Sequence, residues 1–451
     1  MMNRTLFKKL SGMVILALML MIPLMLVEEQ IGERSGYQKQ VEWEVAKTSF
    51  GAQTLAGPML AVRYRVQKPP EAVKDEKTGK TVATRVPLPE ERVLTAPAER
   101  LEIEGDAEMD ERQRGIYRVR LYHLEMMLKG NFNLPADLLR LKPEDGKLLD
   151  ARAVLLFGVS DLRGIGNDPE VDVNGQKLRF VKPKDNTLAH AIYGSYLEME
   201  LGRLDPGEAR SFAFAFPLKL SGMNSFSFAP TALSNSLKLT SVWPHPSFGG
   251  SFLPHERRVD ATGFEAKWMV SSLNLNDKQD SENTEVLGVD FIEPVNLYLQ
   301  SERAIKYGVL FIVLTFTAFF LWEILRRHPL HGMQYLLAGL ALTIFFLLLI
   351  ALSEHIAFLY AYLLSAAACI GLIVFYLSGV LGGREPALAF GGGLVILYGA
   401  LYGLLQSEDN ALLIGSGMLF TALAVVMIST RKLNWHKLGS GIGKENNYPY
   451  G

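Results

Sequence analysis

The sequence predicts an α+β membrane protein with six transmembrane helices and a large, mainly antiparallel β domain. Two observations predict this fold class. One uncharged hydrophobic run lies near the start at Leu10–Val27, and five more are crowded between Tyr307 and Thr430. The chain between these two regions is polar, and its apolar and polar residues alternate as in strands that are buried on one face.

The five later runs predict a bundle over residues 305–430. A hydrocarbon core about 30 Å thick requires roughly 20 apolar helical residues, and each run approaches or exceeds that length. The predicted helices cover about 307–325, 333–352, 356–381, 386–405 and 411–430. Their interiors lack charged residues near the middle of the membrane, which counts against an ion-coupled carrier.

The first run predicts an uncleaved membrane anchor over residues 10–27. Three basic residues precede it, as in a signal peptide, but it exits through Glu28 and Glu29 without a small-x-small cleavage site. Few turn residues follow Gly36, so we expect the helix to continue outward into the β-rich domain at 28–304.

The basic residues predict the orientation, because Lys and Arg mark the cytoplasmic ends of membrane helices. They occur at alternate helix ends: Arg4, Lys8, Lys9, Arg326, Arg327, Arg384, Arg431, Lys432 and Lys437. The other short loops, Ser353–His355 and Gln406–Asn410, contain no Lys or Arg. We therefore expect both termini (residues 1–9 and 431–451) in the cytoplasm. The domain at 28–304 is then periplasmic, in the inner membrane of a Gram-negative cell.

Composition excludes some classes of function. The formal net charge of −1 argues against binding of nucleic acid, which would require a basic stripe. The only cysteine, Cys369, lies in a hydrophobic run, which excludes an intrachain disulfide and a cysteine-based metal site. We expect no cofactor and no metal, and the lipid bilayer is the expected partner.

Period-two alternation predicts a sandwich-like outer domain. Leu101–Glu104 and Tyr117–Leu121 alternate apolar with polar residues, and Asn174-Gly175 is a strong two-residue hairpin signal. Lys68–Lys80 and Asn274–Thr284 are polar and predict exposed loops.

The segment Trp243-Pro-His-Pro-Ser-Phe-Gly-Gly250, followed by Phe252-Leu-Pro254, offers the first candidate site. Its prolines restrict the chain on both sides of His245. Trp243, His245 and Phe248 could then form a docking face. The alternative is a rigid loop whose aromatic side chains cap the core. Zinc binding by His245 alone is not expected, because zinc requires three or four ligands.

Two further segments offer candidate residues. Asp161-Leu-Arg-Gly-Ile-Gly166 lacks the third glycine and the following helix of a dinucleotide fingerprint, so Asp161 and Arg163 are expected to fix a turn or meet a partner. In Ser353–His355, Glu354 and His355 could relay protons or bind a partner. The alternative is a polar turn in which Ser353 caps the next helix.

Small residues predict tight packing of the bundle. Gly379 and Gly383, and Gly399 and Gly403, have the spacing that permits close approach of two membrane helices.

Several motifs together resemble the CreD family of bacterial inner-membrane proteins, from about Thr5 to Trp435. They are Asp161–Gly166, Trp243–Phe248 with Phe252–Pro254, His331–Leu337, Leu352–His355 and Asn410–Gly415. One departure is Gly332, where the resemblance leads us to expect proline. The resemblance implies a cell-envelope integrity protein associated with a two-component system, a sensor kinase and its response regulator. It supplies no catalytic or ligand residues.

These observations lead to three hypotheses of function. The first is a non-enzymatic envelope protein that presents a periplasmic β domain to an unidentified envelope component or protein partner. The second is a lipid or small-molecule facilitator, which requires a cavity in the bundle near Gly391–Gly393. The third, an enzyme acting on envelope polymers, requires paired carboxylates in a cleft of the β domain.

Overall fold

A computed structural model describes residues 4–74, 81–140, 146–185, 187–275, 284–292, 297–326, 330–381, 383–406 and 411–431. The chain forms two compact units: a helical unit of residues 1–39 with 295–451, and a β domain of residues 40–294. Several predictions concern residues outside the described ranges. They are most of the turn at 406–410, the basic residues Arg327, Lys432 and Lys437, and the tail beyond Arg431.

The described residues contain seven α-helices: α1 Arg4–Thr48, α2 Leu297–Lys306, α3 Gly308–Arg326, α4 Gly332–Ser353, α5 Phe358–Val380, α6 Arg384–Gln406 and α7 Ala411–Thr430. Six of them, all except α2, are long and apolar enough to cross a membrane. This confirms the fold class. As the sequence predicted, α1 continues far beyond its apolar run, and it includes Pro23.

One face of α1 packs in the helical unit. Leu20, Leu24, Val27 and Ile31 recur at heptad-like spacing and are 1–6% exposed. Glycines make room for two of them. A Cβ on Gly339 would lie 2.1 Å from Leu20 Cδ1, and one on Gly308 would lie 2.9 Å from Leu24 Cδ2.

The prediction of close approach at the spaced glycine pairs was wrong. A Cβ added to Gly379, Gly399 or Gly403 would meet nothing within 4 Å, and one on Gly383 would lie 3.7 Å from Pro386 Cδ. Besides the two contacts with α1, close approach occurs at Gly391, where a Cβ would lie 2.5 Å from Val374 Cγ2. Spacing alone does not indicate which glycines face a neighbouring helix.

The described part of the β domain contains seventeen strands: β1 Gln53–Gln67, β2 Glu71–Lys74, β3 Thr81–Arg85, β4 Glu90–Ala96, β5 Arg100–Arg114, β6 Tyr117–Leu134, β7 Lys147–Val159, β8 Glu170–Val173, β9 Gln176–Arg179, β10 Ser195–Arg203, β11 Arg210–Met223, β12 Ser225–Ala229, β13 Ser234–Ser241, β14 Pro246–Gly250, β15 Glu256–Asp260, β16 Gly263–Ser271 and β17 Leu287–Phe291. One sheet has the order β10-β7-β1-β12-β17-β14, with β4 also paired to β1. The second has the order β15-β16-β13-β5-β6-β11-β8-β9.

The pairing is mainly antiparallel. Among the described strands, only β1–β12 and β13–β5 pair in parallel. The predicted loop at Lys68–Lys80 is corrected in part, because β2 and β3 form a separate two-stranded sheet. The other predicted loop, Asn274–Thr284, starts at the last residue of the 3-10 turn Ser272–Asn274, and its residues 276–283 lie outside the described ranges.

Both large sheets contribute to one hydrophobic core, as in a sandwich. Phe157 and Phe226 come from the first sheet, and Phe216 and Trp268 from the second. The predicted hairpin is confirmed: Asn174 and Gly175 join β8 to β9, and their φ angles are 51° and 84°.

The last turns of α1 belong to the β domain and pack on it. Val41, Val45 and Phe50 contact a small cluster formed by Val119, Leu121 and Met223. This contact places the end of α1 next to the Asp161 turn described below.

Candidate functional site

The Trp243 segment is rigid because its aromatic side chains are held from several directions. The Trp243 indole N–H donates to the carbonyl of His245 at 3.0 Å, and the Arg120 guanidinium lies 4.8 Å from the centre of the Trp243 ring. Phe248 packs edge-on against Phe264 at 5.6 Å and Trp268 at 5.7 Å between ring centroids. These contacts agree with the interpretation that the aromatic residues cap the core.

Part of this segment is a strand, so its description as a loop is corrected. Pro246–Gly250 forms β14, which pairs with β17 at the edge of the first sheet. Trp243 and Phe248 are partly buried, whereas His245 is exposed. Two apolar side chains close to them in sequence also face solvent: Val242 is 71% exposed and Leu253 is 68% exposed.

Asp161 and Arg163 fix a turn, as predicted. Asp161 Oδ1 accepts from the backbone N–H of Arg163 at 3.0 Å, and the Arg163 side chain donates to both carboxylate oxygens. The hydrogen bond from the Arg163 side chain lowers the pKa of Asp161 below its ordinary value. Arg163 also donates to the carbonyls of Lys47 at 2.5 Å and Ala46 at 3.3 Å. It therefore caps the C-terminus of α1, where the last carbonyls have no helical partner.

Gly164 of this motif has a structural explanation. A Cβ on Gly164 would lie 2.3 Å from Gln53 Nε2 and 2.5 Å from the carbonyl oxygen of Ser221. Gln53 is 1% exposed, and its amide donates to the carbonyls of Asp161 and Ser221. Close approach to this buried amide requires glycine at position 164 and explains that residue without a bound nucleotide.

In the Ser353–His355 turn, Glu354 is paired within the helical unit. Its Oε1 lies 3.6 Å from Arg34 Nε and accepts from the Tyr298 hydroxyl at 3.3 Å, while His355 is exposed. The expected cap by Ser353 was wrong, since its hydroxyl donates to Ile350 O and α5 begins after Ala357. The buried carboxylate is directed toward α1 and α2.

A second, partly buried carboxylate has partners that sequence reasoning missed. Glu323 in α3 forms an ion pair with Lys9 of α1 and accepts from the Tyr335 hydroxyl of α4 at 3.2 Å. The sequence places Glu323 near Arg326, which suggests a local role at the headgroup level. An acidic residue in an apolar run was the available signal, but its partners are remote in sequence.

A cavity of about 760 Å³ lies between α3, α6 and α7. Its lining is almost entirely apolar and includes Phe390 and Gly393, near the glycines where the facilitator hypothesis requires a cavity. Trp322 lines it from α3, and the Arg326 guanidinium lies 5.2 Å from the centre of the Trp322 ring.

Two carboxylates face each other on the outer surface of the second sheet. Asp106 and Glu125 are directly opposite in the β5–β6 ladder, where like charges are unfavourable. The Thr240 hydroxyl donates to Asp106 at 2.6 Å, and Lys219 lies 2.5 Å from Glu125. The hydrogen bond to Glu125 raises the pKa of Lys219. Each carboxylate is thus bound by a side chain of the neighbouring strand.

Comparison with known proteins gives a match over nearly the whole chain. The family model described as "Inner membrane protein CreD" matches residues 5–436. The inner membrane protein CreD of Escherichia coli (strain K12) is 35% identical over 451 residues, which cover 97% of this chain and 95% of that protein.

Among solved structures, an M1 zinc metallopeptidase from Deinococcus radiodurans aligns with 43% of this chain and 42% of its own. The TM-score is 0.21 and the sequence identity is 9%, values too low for this likeness to indicate a fold or a function. The sequence match and the six candidate membrane spans agree with each other. The chain therefore belongs to the CreD family of inner membrane proteins.

Proposed function

We propose that this chain is a non-enzymatic cell-envelope integrity protein that holds a β domain in the periplasm for contact with envelope components or protein partners. Its membrane part would comprise residues 10–27 and 305–430, with both termini in the cytoplasm. The distribution of charged residues at the helix ends supports this orientation. Arg326 ends α3, Arg384 begins α6 and Arg431 follows α7, all at ends that the orientation places in the cytoplasm, whereas Glu354 follows α4 at an end that it places in the periplasm.

The observation that carries the contact role is the exposed apolar surface beside a rigid support. Val242 and Leu253 face solvent, while Trp243 and Phe248 between them are fixed by Arg120 and by the core. Apolar side chains presented on a rigid segment bind with little loss of conformational entropy. The same region includes the exposed imidazole of His245.

The contacts divide the candidate residues into two groups. Trp243, Phe248, Asp161, Arg163 and Glu354 already bind or pack within the chain, so their substitution would disturb the fold as well as any interface. The exposed residues are the better probes of function, namely Val242, His245 and Leu253, with His355 in the helical unit.

The test is an envelope-integrity assay of a Val242→Asp, His245→Ala, Leu253→Asp variant in cells that lack the native protein. We expect loss of function with unchanged membrane levels, because charge prevents burial of these side chains in an interface. The matched control is Val259→Asp on β15, which is also exposed. Wild-type behaviour of the triple variant would exclude this surface.

The cavity supports the facilitator as a second candidate. A facilitator, however, needs a path across a hydrocarbon core about 30 Å thick. The cavity lining on α7 extends from Ile414 to Val426, a helical rise of about 18 Å. Because the lining is shorter than the hydrocarbon core, it accommodates a bound acyl chain and does not provide a path across the membrane. Its length therefore favours the non-transport function.

A further inference from the structure

The cavity between α3, α6 and α7 has the length and lining of a site for one lipid chain. Its rise of about 18 Å along α7 is close to half of a hydrocarbon core of about 30 Å, which is the depth of one leaflet. Two of its three threonines add little polarity, because Thr317 donates to the carbonyl of Val313 and Thr421 to that of Gly417. The third, Thr315, is 2% exposed and leaves the lining mainly apolar. The interior therefore presents mainly hydrocarbon to its occupant.

One end of this cavity carries several arginine residues, together with Glu385 in the first turn of α6. Phe319 stacks on Phe390 at 4.5 Å and Phe311 contacts Tyr398 at 5.2 Å, so α3 and α6 are antiparallel. Arg326 at the end of α3 and Arg384 at the start of α6 consequently lie at the same end.

The third helix brings another arginine to that end. A Cβ on Gly415, near the start of α7, would lie 3.7 Å from Leu404 near the end of α6. The cavity lining also runs back along α6 to Ala389 and forward along α7 to Val426, so α6 and α7 lie side by side and are antiparallel. Arg431 therefore follows the end of α7 on the same side as Arg326. Arg326 reaches the lining directly, because it stacks over Trp322.

We propose that this cavity binds an anionic phospholipid, with one acyl chain between the three helices and its phosphate at the arginine end. Charge complementarity selects this occupant: arginine side chains at a membrane interface attract anionic headgroups and form charge-assisted hydrogen bonds with phosphate. A second copy of the chain would bring its own basic helix end to the same place. The site would stabilise the attachment of α7 and goes beyond the proposed role of the β domain.

Trp322 provides a direct probe. The purified full-length protein is reconstituted in phosphatidylcholine vesicles in which a fixed fraction of lipid is either brominated phosphatidylglycerol or brominated phosphatidylcholine. Quenching by bromine is assigned to Trp322 by subtracting the signal of Trp322→Phe. We expect stronger quenching by brominated phosphatidylglycerol. Replacing Arg326 and Arg384 by glutamine should reduce the relative affinity about fivefold for each arginine.

A glycine pair separates cavity occupancy from general surface charge. Gly393 lines the cavity and Gly392 does not, although an added Cβ would meet nothing within 4 Å at either position. Gly393→Leu should abolish the preference for phosphatidylglycerol, and Gly392→Leu should retain it. Equal quenching by both lipids, no quenching, or a preference that survives Gly393→Leu would each overturn the proposal.

Discussion

The Arg34 guanidinium of α1 lies 3.6 Å from the Glu354 carboxylate at the end of α4. An ion pair between Lys9 and Glu323 joins the other end of the same α1 segment to α3. From Lys9 to Arg34 the helix rises about 37 Å, slightly more than the hydrocarbon core. The two ion pairs therefore attach the anchor helix to the bundle near the two membrane interfaces.

Loss of Glu354 should weaken this attachment. The side chain of Glu354 is 9% exposed, so Glu354→Ala leaves Arg34 and the Tyr298 hydroxyl without this partner. We expect a loss of about 1–3 kcal/mol in the free energy of unfolding, measured in detergent by tryptophan fluorescence. Glu385→Ala, at the exposed start of α6, is the control. Equal stability of the two variants would show that the pair contributes nothing.

Packing of α1 depends on Gly339. A valine there would place its Cβ 2.1 Å from Leu20 Cδ1, so Gly339→Val should force the buried Leu20 side chain to repack and lower stability by about 1–3 kcal/mol. Gly379→Val is the matched control, because its Cβ has open space. The measurement is the thermal midpoint of each purified variant. A Gly339→Val protein as stable as the control would contradict the described packing.

The spacing of hydrophobic residues along the chain explains which helices and strands could be predicted from the sequence. Long apolar runs identify membrane helices, and the alternation of Phe212, Phe214 and Phe216 identifies a strand with one buried face. The partners of Glu323 and Glu354 could not be predicted, because each is brought close by helices remote in sequence. The sequence also could not predict that Gly379 faces away from neighbouring helices, because residue spacing does not define which side of a helix meets a neighbour.

The Asp161 motif makes a separable prediction. Gly164→Ala would place a methyl group 2.3 Å from the Gln53 amide and 2.5 Å from the backbone of Ser221, whereas the nearest atom to a Cβ on Gly166 is 3.5 Å away. We expect Gly164→Ala to destabilise the β domain by at least about 1–3 kcal/mol and Gly166→Ala to be nearly neutral. Chemical unfolding of the two full-length variants measures the difference. Similar midpoints would argue against the buried amide contact.

Asp161 should also contribute a pH-dependent stability. Its pKa lies below the ordinary 3.8 because Arg163 binds the carboxylate, so the ionised form favours the folded state. The stabilisation is present above pH 3.8 and is lost as pH falls through the lowered pKa. The Asp161→Asn protein should have a lower free energy of unfolding than the native protein at pH 7. This difference should disappear as the pH falls below the lowered pKa of Asp161. An Asp161→Asn protein as stable as the native protein at pH 7 would contradict this contribution.

The candidate residues illustrate why site prediction was harder than fold prediction. Trp243, Asp161 and Glu354 stand out in the sequence because they are unusual in their surroundings. The structure shows that unusual residues also serve internal roles: Trp243 stacks with Arg120, and Arg163 caps α1. Val242 and His245 differ from these residues because their side chains are exposed to solvent. Exposure depends on tertiary packing and cannot be predicted from a short sequence motif.

Sidedness of the β domain is the central claim, and cysteine labelling tests it most directly. The native Cys369 is 4% exposed within the bundle, so single cysteines can be added over a low background. Glu208→Cys and Arg257→Cys lie on exposed parts of the β domain, and Glu385→Cys lies at the basic end of α6. A membrane-impermeant maleimide is applied to cells with a permeabilised outer membrane. Labelling of positions 208 and 257 but not 385 is the predicted result, and labelling of 385 alone would contradict the account.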